Sequence, residues 1–159
     1  MAHSDALRKN VLELLKGKSA HVDFEAAVSK FPLKRVGEKH AGLPYTAWQL
    51  LEHMRIAQRD ILEFSRNPKH VSPPWPEGYW PHSESPSKKE AWDRSVRAFR
   101  ADLKAMMKLV ADPASDLLAP IPHGDGQTLL REALLVADHN SYHVGELVML
   151  RRLLGAWKP

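Results

Sequence analysis

Apolar residues recur along the chain at intervals of three and four, and no stretch shows the sustained alternation of a half-buried strand. The spacing predicts an all-α protein. A first helix runs from about Ser4 to Lys16 with Leu7, Val11, Leu14 and Leu15 on one face, and Gly17 ends it. A shorter helix follows over about Val22 to Phe31, turning Phe24, Ala27, Val28 and Phe31 inward before Pro32 stops it. The next begins at Thr46-Ala47-Trp48-Gln49, which matches a capping box, and continues to about Arg66. Its inward stripe is Leu50, His53 or Met54, Ala57, Ile61 and Phe64, and Asn67-Pro68 closes it. Another opens near Ser85-Pro86 or Ser87, with Glu90 completing a second capping box. It carries Trp92, Val96, Phe99, Leu103, Met106 and Val110 before Asp112-Pro113. The last starts near Thr128 and ends at Gly155, with Leu129, Val136, His139, His143, Leu147 and Leu150 along one stripe. Four long amphipathic helices bury their stripes most economically as a four-helix bundle, here with one short extra helix after the first.

The connection from Asn67 to Ser85 is long for a compact fold. It contains Pro68, Pro73, Pro74, Pro76 and Pro81 together with Trp75, Tyr79 and Trp80. Two roles suit it equally: a proline-stiffened strap that packs its aromatics over one end of the bundle, or the lining of a pocket.

Length and composition narrow the class. At 159 residues the chain fits one domain, 1–159, and at 43% hydrophobic and 26% charged it is an ordinary globular chain. No apolar run reaches the ~20 residues of a membrane span, and Glu13 and Lys16 interrupt any signal-peptide core, so a cytoplasmic location is expected. There are no cysteines, which removes disulfides, thiolate metal sites and cysteine nucleophiles. Any metal must therefore sit on nitrogen and oxygen.

Nine histidines are an unusual number for this length. His139 and His143 stand four apart on one helix, so their rings lie one turn above the other and can share an ion; His53, from the second main helix, is the natural third ligand. Three neutral imidazoles would hold Zn²⁺, Ni²⁺ or Fe²⁺ while leaving a position open for water or substrate. The competing reading makes them core histidines hydrogen-bonded to neighbours, since HxxxH alone is common. Both His139 and His143, however, lie on a stripe that must face the core, where an unpaired imidazole loses solvation. Carboxylates near the stripe could orient the rings: Asp60 two turns after His53, Glu146 three residues after His143, and Asp138 and Glu52 beside ligands. Glu146 is the best-placed base, whereas Asp138 and Glu52 are better explained as a solvated helix face. Tyr142 could present its hydroxyl near the metal and ranks below Glu146.

The segments Thr46-Ala47-Trp48-Gln49-Leu50-Leu51-Glu52-His53 and Asp138-His139-Asn140-Ser141-Tyr142-His143-Val144-Gly145-Glu146-Leu147, followed by Leu150-Arg151-Arg152-Leu153-Leu154-Gly155, closely resemble the DinB-like superfamily. The resemblance spans nearly the whole chain. It implies a four-helix bundle, often a homodimer, whose divalent metal is held by one histidine of the second main helix and two of the last; these map onto His53, His139 and His143. Some relatives are enzymes that use bacillithiol, mycothiol or glutathione, which implies a low-molecular-weight thiol as a second cofactor and a thiol transferase-like reaction on a small-molecule substrate. A hydrolase, in which Glu146 or Asp60 takes a proton from water, and a non-catalytic metal- or ligand-binding module are the alternatives. An open coordination position facing a pocket lined by Trp48, Trp75, Trp80 or Tyr142 would favour catalysis over a structural ion.

Nucleic-acid binding is the remaining class to weigh, because the net charge is +4 and Arg97, Arg100, Lys104 and Lys108 form a basic stripe. Asp93 and Asp102 dilute that surface and no recognisable nucleic-acid motif accompanies it. No nucleic-acid partner and no membrane partner is expected.

Overall fold

Each of the four long apolar stripes forms a helix in the computed structural model, which describes residues 2–157. In chain order the helices are α1 (Ala2–Lys16), α2 (Phe24–Val28), α3 (Ala47–Arg66), α4 (Ala91–Ala111) and α5 (Leu129–Leu153). Single 3₁₀ turns occur at Leu33–Arg35 and Glu77–Tyr79. Among the described residues there is no strand, only an isolated bridge between Pro120 and Thr128. The long helices pack as an all-α bundle, α3 against α4 and α5, and α1 against the same two; the short α2 lies on α5. Among the described residues no helix is long and apolar enough to cross a membrane.

Helix ends follow local chemistry. The capping box at α3 forms: Gln49 N–H donates to Thr46 Oγ1 at 3.2 Å and Thr46 N–H to Gln49 Oε1 at 3.1 Å. The Thr46 hydroxyl also donates to the Glu84 carbonyl at 2.7 Å, which ties the end of the 67–85 strap to the start of α3. Thr128 caps α5, accepting from Arg131 N–H at 3.2 Å.

Some boundaries and faces depart from expectation. α2 is half its expected length because Ser29 leaves helical geometry and Lys30 turns left-handed at φ 52°, although Phe31 is still buried. The Ser87–Glu90 capping box does not form; α4 begins at Ala91, whose N–H bonds Lys88 O, and Glu90 is its N-cap with no side-chain bond. On α1 the buried face is rotated toward Val11 and Leu15, leaving Leu14 45% exposed. Arg8 occupies that rotated face and donates to Val110 O at 2.7 Å, in the last turn of α4, and to Ser115 O in the loop that follows. Phe64 and Leu103 are half-buried rather than central.

The interior has two apolar clusters. One gathers Phe24, Trp48, Leu51, Met54, Trp92, Phe99, Leu147 and Leu150; the other Val11, Leu15, Leu62, Met106, Val110, Ala133 and Val136. On α5 the first cluster takes residues from 144 onward and the second those up to 137, so His139, Asn140 and His143 fall at the junction. Two polar side chains there link across the bundle: Asn140 Nδ2 donates to Gln58 Oε1 at 2.8 Å, and Gln58 Nε2 to Phe99 O at 2.7 Å. A polar layer thus divides the core, and the histidines belong to it.

Candidate metal centre

α3 brings His53 and α5 brings His139 and His143 to one point, with one donor atom from each within 4.8 Å of the others. The Nε2 atom of His53 lies 3.1 Å from Nε2 of His143 and 3.1 Å from Nε2 of His139. His53 and His143 are buried and His139 half-buried. The rings are steeply inclined to one another, at 83° between His53 and His143 and 64° between His139 and His143. Such inclinations let edges rather than faces converge.

The outer nitrogens decide which way the lone pairs point. Nδ1 of His53 lies 2.9 Å from the Tyr79 carbonyl, which can only accept, so Nδ1 carries the proton and Nε2 a bare lone pair. Nδ1 of His143 lies 2.7 Å from Glu146 Oε2, and donation to that carboxylate again leaves Nε2 unprotonated. Two lone pairs therefore face each other at 3.1 Å inside the bundle, an arrangement that repels unless an electrophile lies between them. A divalent cation is such an electrophile. Nitrogens each ~2.0–2.1 Å from one ion are about 2.8–3.4 Å apart for angles between roughly 90° and 109°, a range that contains the observed separation. The Nδ1 of His139 is buried with no partner.

Electrostatics favour the neutral, ligating form of all three rings. Burial, then repulsion from His143 and His53, pushes His139 from its ordinary 6.5 down to about 3. Burial and His53 push His143 down to about 4. His53 is lowered mainly by burial, with the Tyr79 carbonyl and Glu146 acting the other way. Burial raises Glu146 above the ordinary carboxyl range, partly offset by a hydrogen bond from Tyr142 and the proximity of His53.

Of the residues singled out in the sequence, Glu146 touches a ligand, and Tyr142 stands edge-on to His143 with centroids 4.9 Å apart while remaining 65% exposed. Asp60 does not reach the imidazoles; its oxygens accept from Tyr79 Oη at 2.6 Å and His70 Nε2 at 2.7 Å. Asp138 is exposed. Glu52 corrects the expectation of a solvated face: it is buried and bound through both oxygens by Arg55 at 2.9 and 2.8 Å. Burial pushes that carboxyl up, but hydrogen bonds from Arg55 and Ser95 and the charges of Arg55 and Arg94 outweigh it. Trp48 is buried in the first apolar cluster, and Trp75 is 76% exposed.

The 67–85 strap contributes more than its sequence declares. Trp80 stacks on His53 with centroids 3.8 Å apart and planes 2° from parallel, and Tyr45 stacks on the far face of the pair at 3.9 Å from Trp80. The strap both packs aromatics on the bundle and builds the wall of the histidine cluster. Tyr45 and His70 carried no signal in the sequence, because neither falls on a helical stripe; only the convergence of aromatics in the strap hinted at Tyr79 and Trp80.

A helical bundle with three imidazoles donated by two of its helices defines a class of proteins able to hold a metal ion in the core. The family model of the DinB superfamily matches residues 18–147, and the chain belongs to that superfamily. No curated protein and no solved structure matches it.

Proposed function

We propose that the chain binds one divalent cation through His53, His139 and His143, and that the centre activates a low-molecular-weight thiol, or water, for attack on a small electrophilic substrate. The observation that carries the reading is the convergence of three Nε2 atoms, two of which, on His53 and His143, have their lone pairs turned inward by the partners of their outer nitrogens. When bound, a divalent cation supplies Lewis-acid chemistry, lowering the pKa of a thiol or water that reaches it.

The chain's own residues supply the rest. Glu146 is half-buried, beside the cluster, with its proton affinity raised by burial, which suits it to take the proton released by a nucleophile. It also keeps His143 oriented through Oε2. Tyr142 stands next to both, exposed, where its hydroxyl can meet an incoming substrate. Trp80 shields the opposite side of His53 from water. Thiol transfer is preferred to hydrolysis on the family resemblance alone. Leu134, Met149 and Leu153 are exposed along α5, and we propose this face as the contact of a homodimer; light scattering checks the mass.

The test is elemental analysis of tag-free protein never exposed to a nickel column, beside His139→Ala. About one metal per wild-type chain, lost in the variant, is expected; equal metal in both overturns the assignment. Low-molecular-weight thiols paired with electrophilic acceptors, and then simple esters and amides, follow on the metal-loaded protein. Inactivity across both panels would leave a binding module.

A further inference from the structure

We propose that Asp60 is a positioning residue for His53, acting through the strap residue Tyr79. The inference rests on reading the three histidines as a metal centre, and it concerns how one of them is held. Asp60 stands on α3 seven positions after His53, with its side chain 12% exposed. Oδ2 accepts from the Tyr79 hydroxyl at 2.6 Å, and the backbone carbonyl of the same Tyr79 accepts from His53 Nδ1 at 2.9 Å. One strap residue is therefore gripped at two points by one helix, by side chain at Asp60 and by backbone at His53. Asp60 Oδ1 takes a second strap residue, His70, at 2.7 Å, so the carboxylate ties both limbs of the strap to α3.

The neighbours of Tyr79 reinforce the grip. Gly78 donates its N–H to Pro74 O at 2.8 Å, and a Cβ there would meet Pro73 Cβ at 2.7 Å and Pro74 Cδ at 2.8 Å, so the strap can close this tightly only with glycine. Trp80, one residue on, lies flat on His53. The Tyr79 phenol is pushed up to about 12 by burial and by Asp60, which keeps it a donor.

The consequence is chemical as well as mechanical. A carbonyl at Nδ1 fixes the proton on that nitrogen and points the Nε2 lone pair at His139 and His143. If the carbonyl drifts, His53 can place its proton on Nε2 and cease to be a ligand. Asp60 sets where that carbonyl sits without touching the imidazole.

Tyr79→Phe removes one hydroxyl and keeps the ring, the carbonyl and Trp80; Asp60→Ala removes the other end of the link. In the ¹⁵N-labelled metal-free wild type, long-range proton–nitrogen spectra should show His53 protonated at Nδ1, and each variant should populate the Nε2–H form. Zn²⁺ titration against a competing chelator should show affinity about 10–100-fold weaker in each variant. The double variant should lose no more than the worse single one, as expected of two ends of one link. A merely structural role would lower the unfolding midpoint and leave the tautomer alone. An unchanged tautomer in both variants, or additive losses of affinity, would overturn the proposal. If wild-type protein fails to bind Zn²⁺, the metal-centre reading falls, while the tautomer of His53 still decides the role of Asp60.

Discussion

His139 carries the heaviest penalty against protonation in the cluster: its ring is held near a pKa of about 3, against 6.5 when free, by burial and by His143 and His53. Because the folded value lies below the unfolded one, the unfolded chain binds more protons between them. Whatever stability this represents is fully present above about pH 6.5 and is lost as pH falls toward 4, where His143 also titrates, and on toward 3. Urea unfolding in the presence of a chelator should therefore give a midpoint that is flat above neutrality and drops steadily below about pH 6.5. His139→Gln should flatten part of that drop; an identical pH profile would contradict the assigned burial cost. Metal occupancy should fall over the same window, since protons and cations compete for the same lone pairs. Glu146 separates binding from turnover. Glu146→Gln keeps an oxygen able to accept from His143 Nδ1 but cannot take a proton at neutral pH. Retained metal with activity reduced about 10²–10⁴-fold is expected from the loss of a general base, and loss of both together would reduce Glu146 to an orienting role.

Helices were legible because a period of three to four reports which face is apolar, and the caps at Thr46 and Thr128 are local chemistry that a few residues encode. The period does not report how far a helix rotates against its partners. Leu14 belongs to the same apolar arc as Val11, yet α1 is turned so that Arg8 reaches Val110 O in the last turn of α4 and Leu14 lies in solvent. The site was legible where it is helical, at His53, His139, His143 and Glu146, and illegible where it depends on the strap, whose docking follows no period. Arg151 illustrates the same limit. A charged residue near the end of α5 reads as surface, but it is 5% exposed, without an acidic partner among the described residues. It donates to Ala26 O at 3.0 Å and Ala27 O at 2.8 Å of α2 and to Ala156 O at 3.1 Å, with Phe31 and Trp157 on its faces. A five-residue helix has almost no stability of its own. Arg151→Met should cost about 2–4 kcal/mol in urea unfolding, by stranding buried carbonyls. Amide exchange should rise first over residues 22–31, and a surface-like loss below ~0.5 kcal/mol would show the clasp to be idle.

At the scale of the whole molecule, the cluster lies where two apolar cores meet and joins α3 to α5. In the metal-free protein this junction brings together imidazole lone pairs and an unpartnered Nδ1 on His139, both of which count against burial. A cation held there would relieve repulsion and fasten two helices that are distant in sequence, and would do so only in the folded state. Binding to the folded chain alone stabilises by RT ln(1 + [M]/Kd), about 2.7 kcal/mol at a hundredfold excess over Kd. For a chain of this size each kcal/mol moves the midpoint by roughly 2–4 °C, so saturating Zn²⁺ or Ni²⁺ should raise Tm by about 5–10 °C. The rise should grow with the logarithm of metal concentration and vanish in His53→Ala, whose α3 contributes no other ligand to the cluster. An equal rise in that variant would place the stabilising ion elsewhere on the surface. A logarithmic rise that depends equally on His53 and His143 would mean that α3 and α5 are fastened through one ion, as the inward convergence of their imidazoles requires.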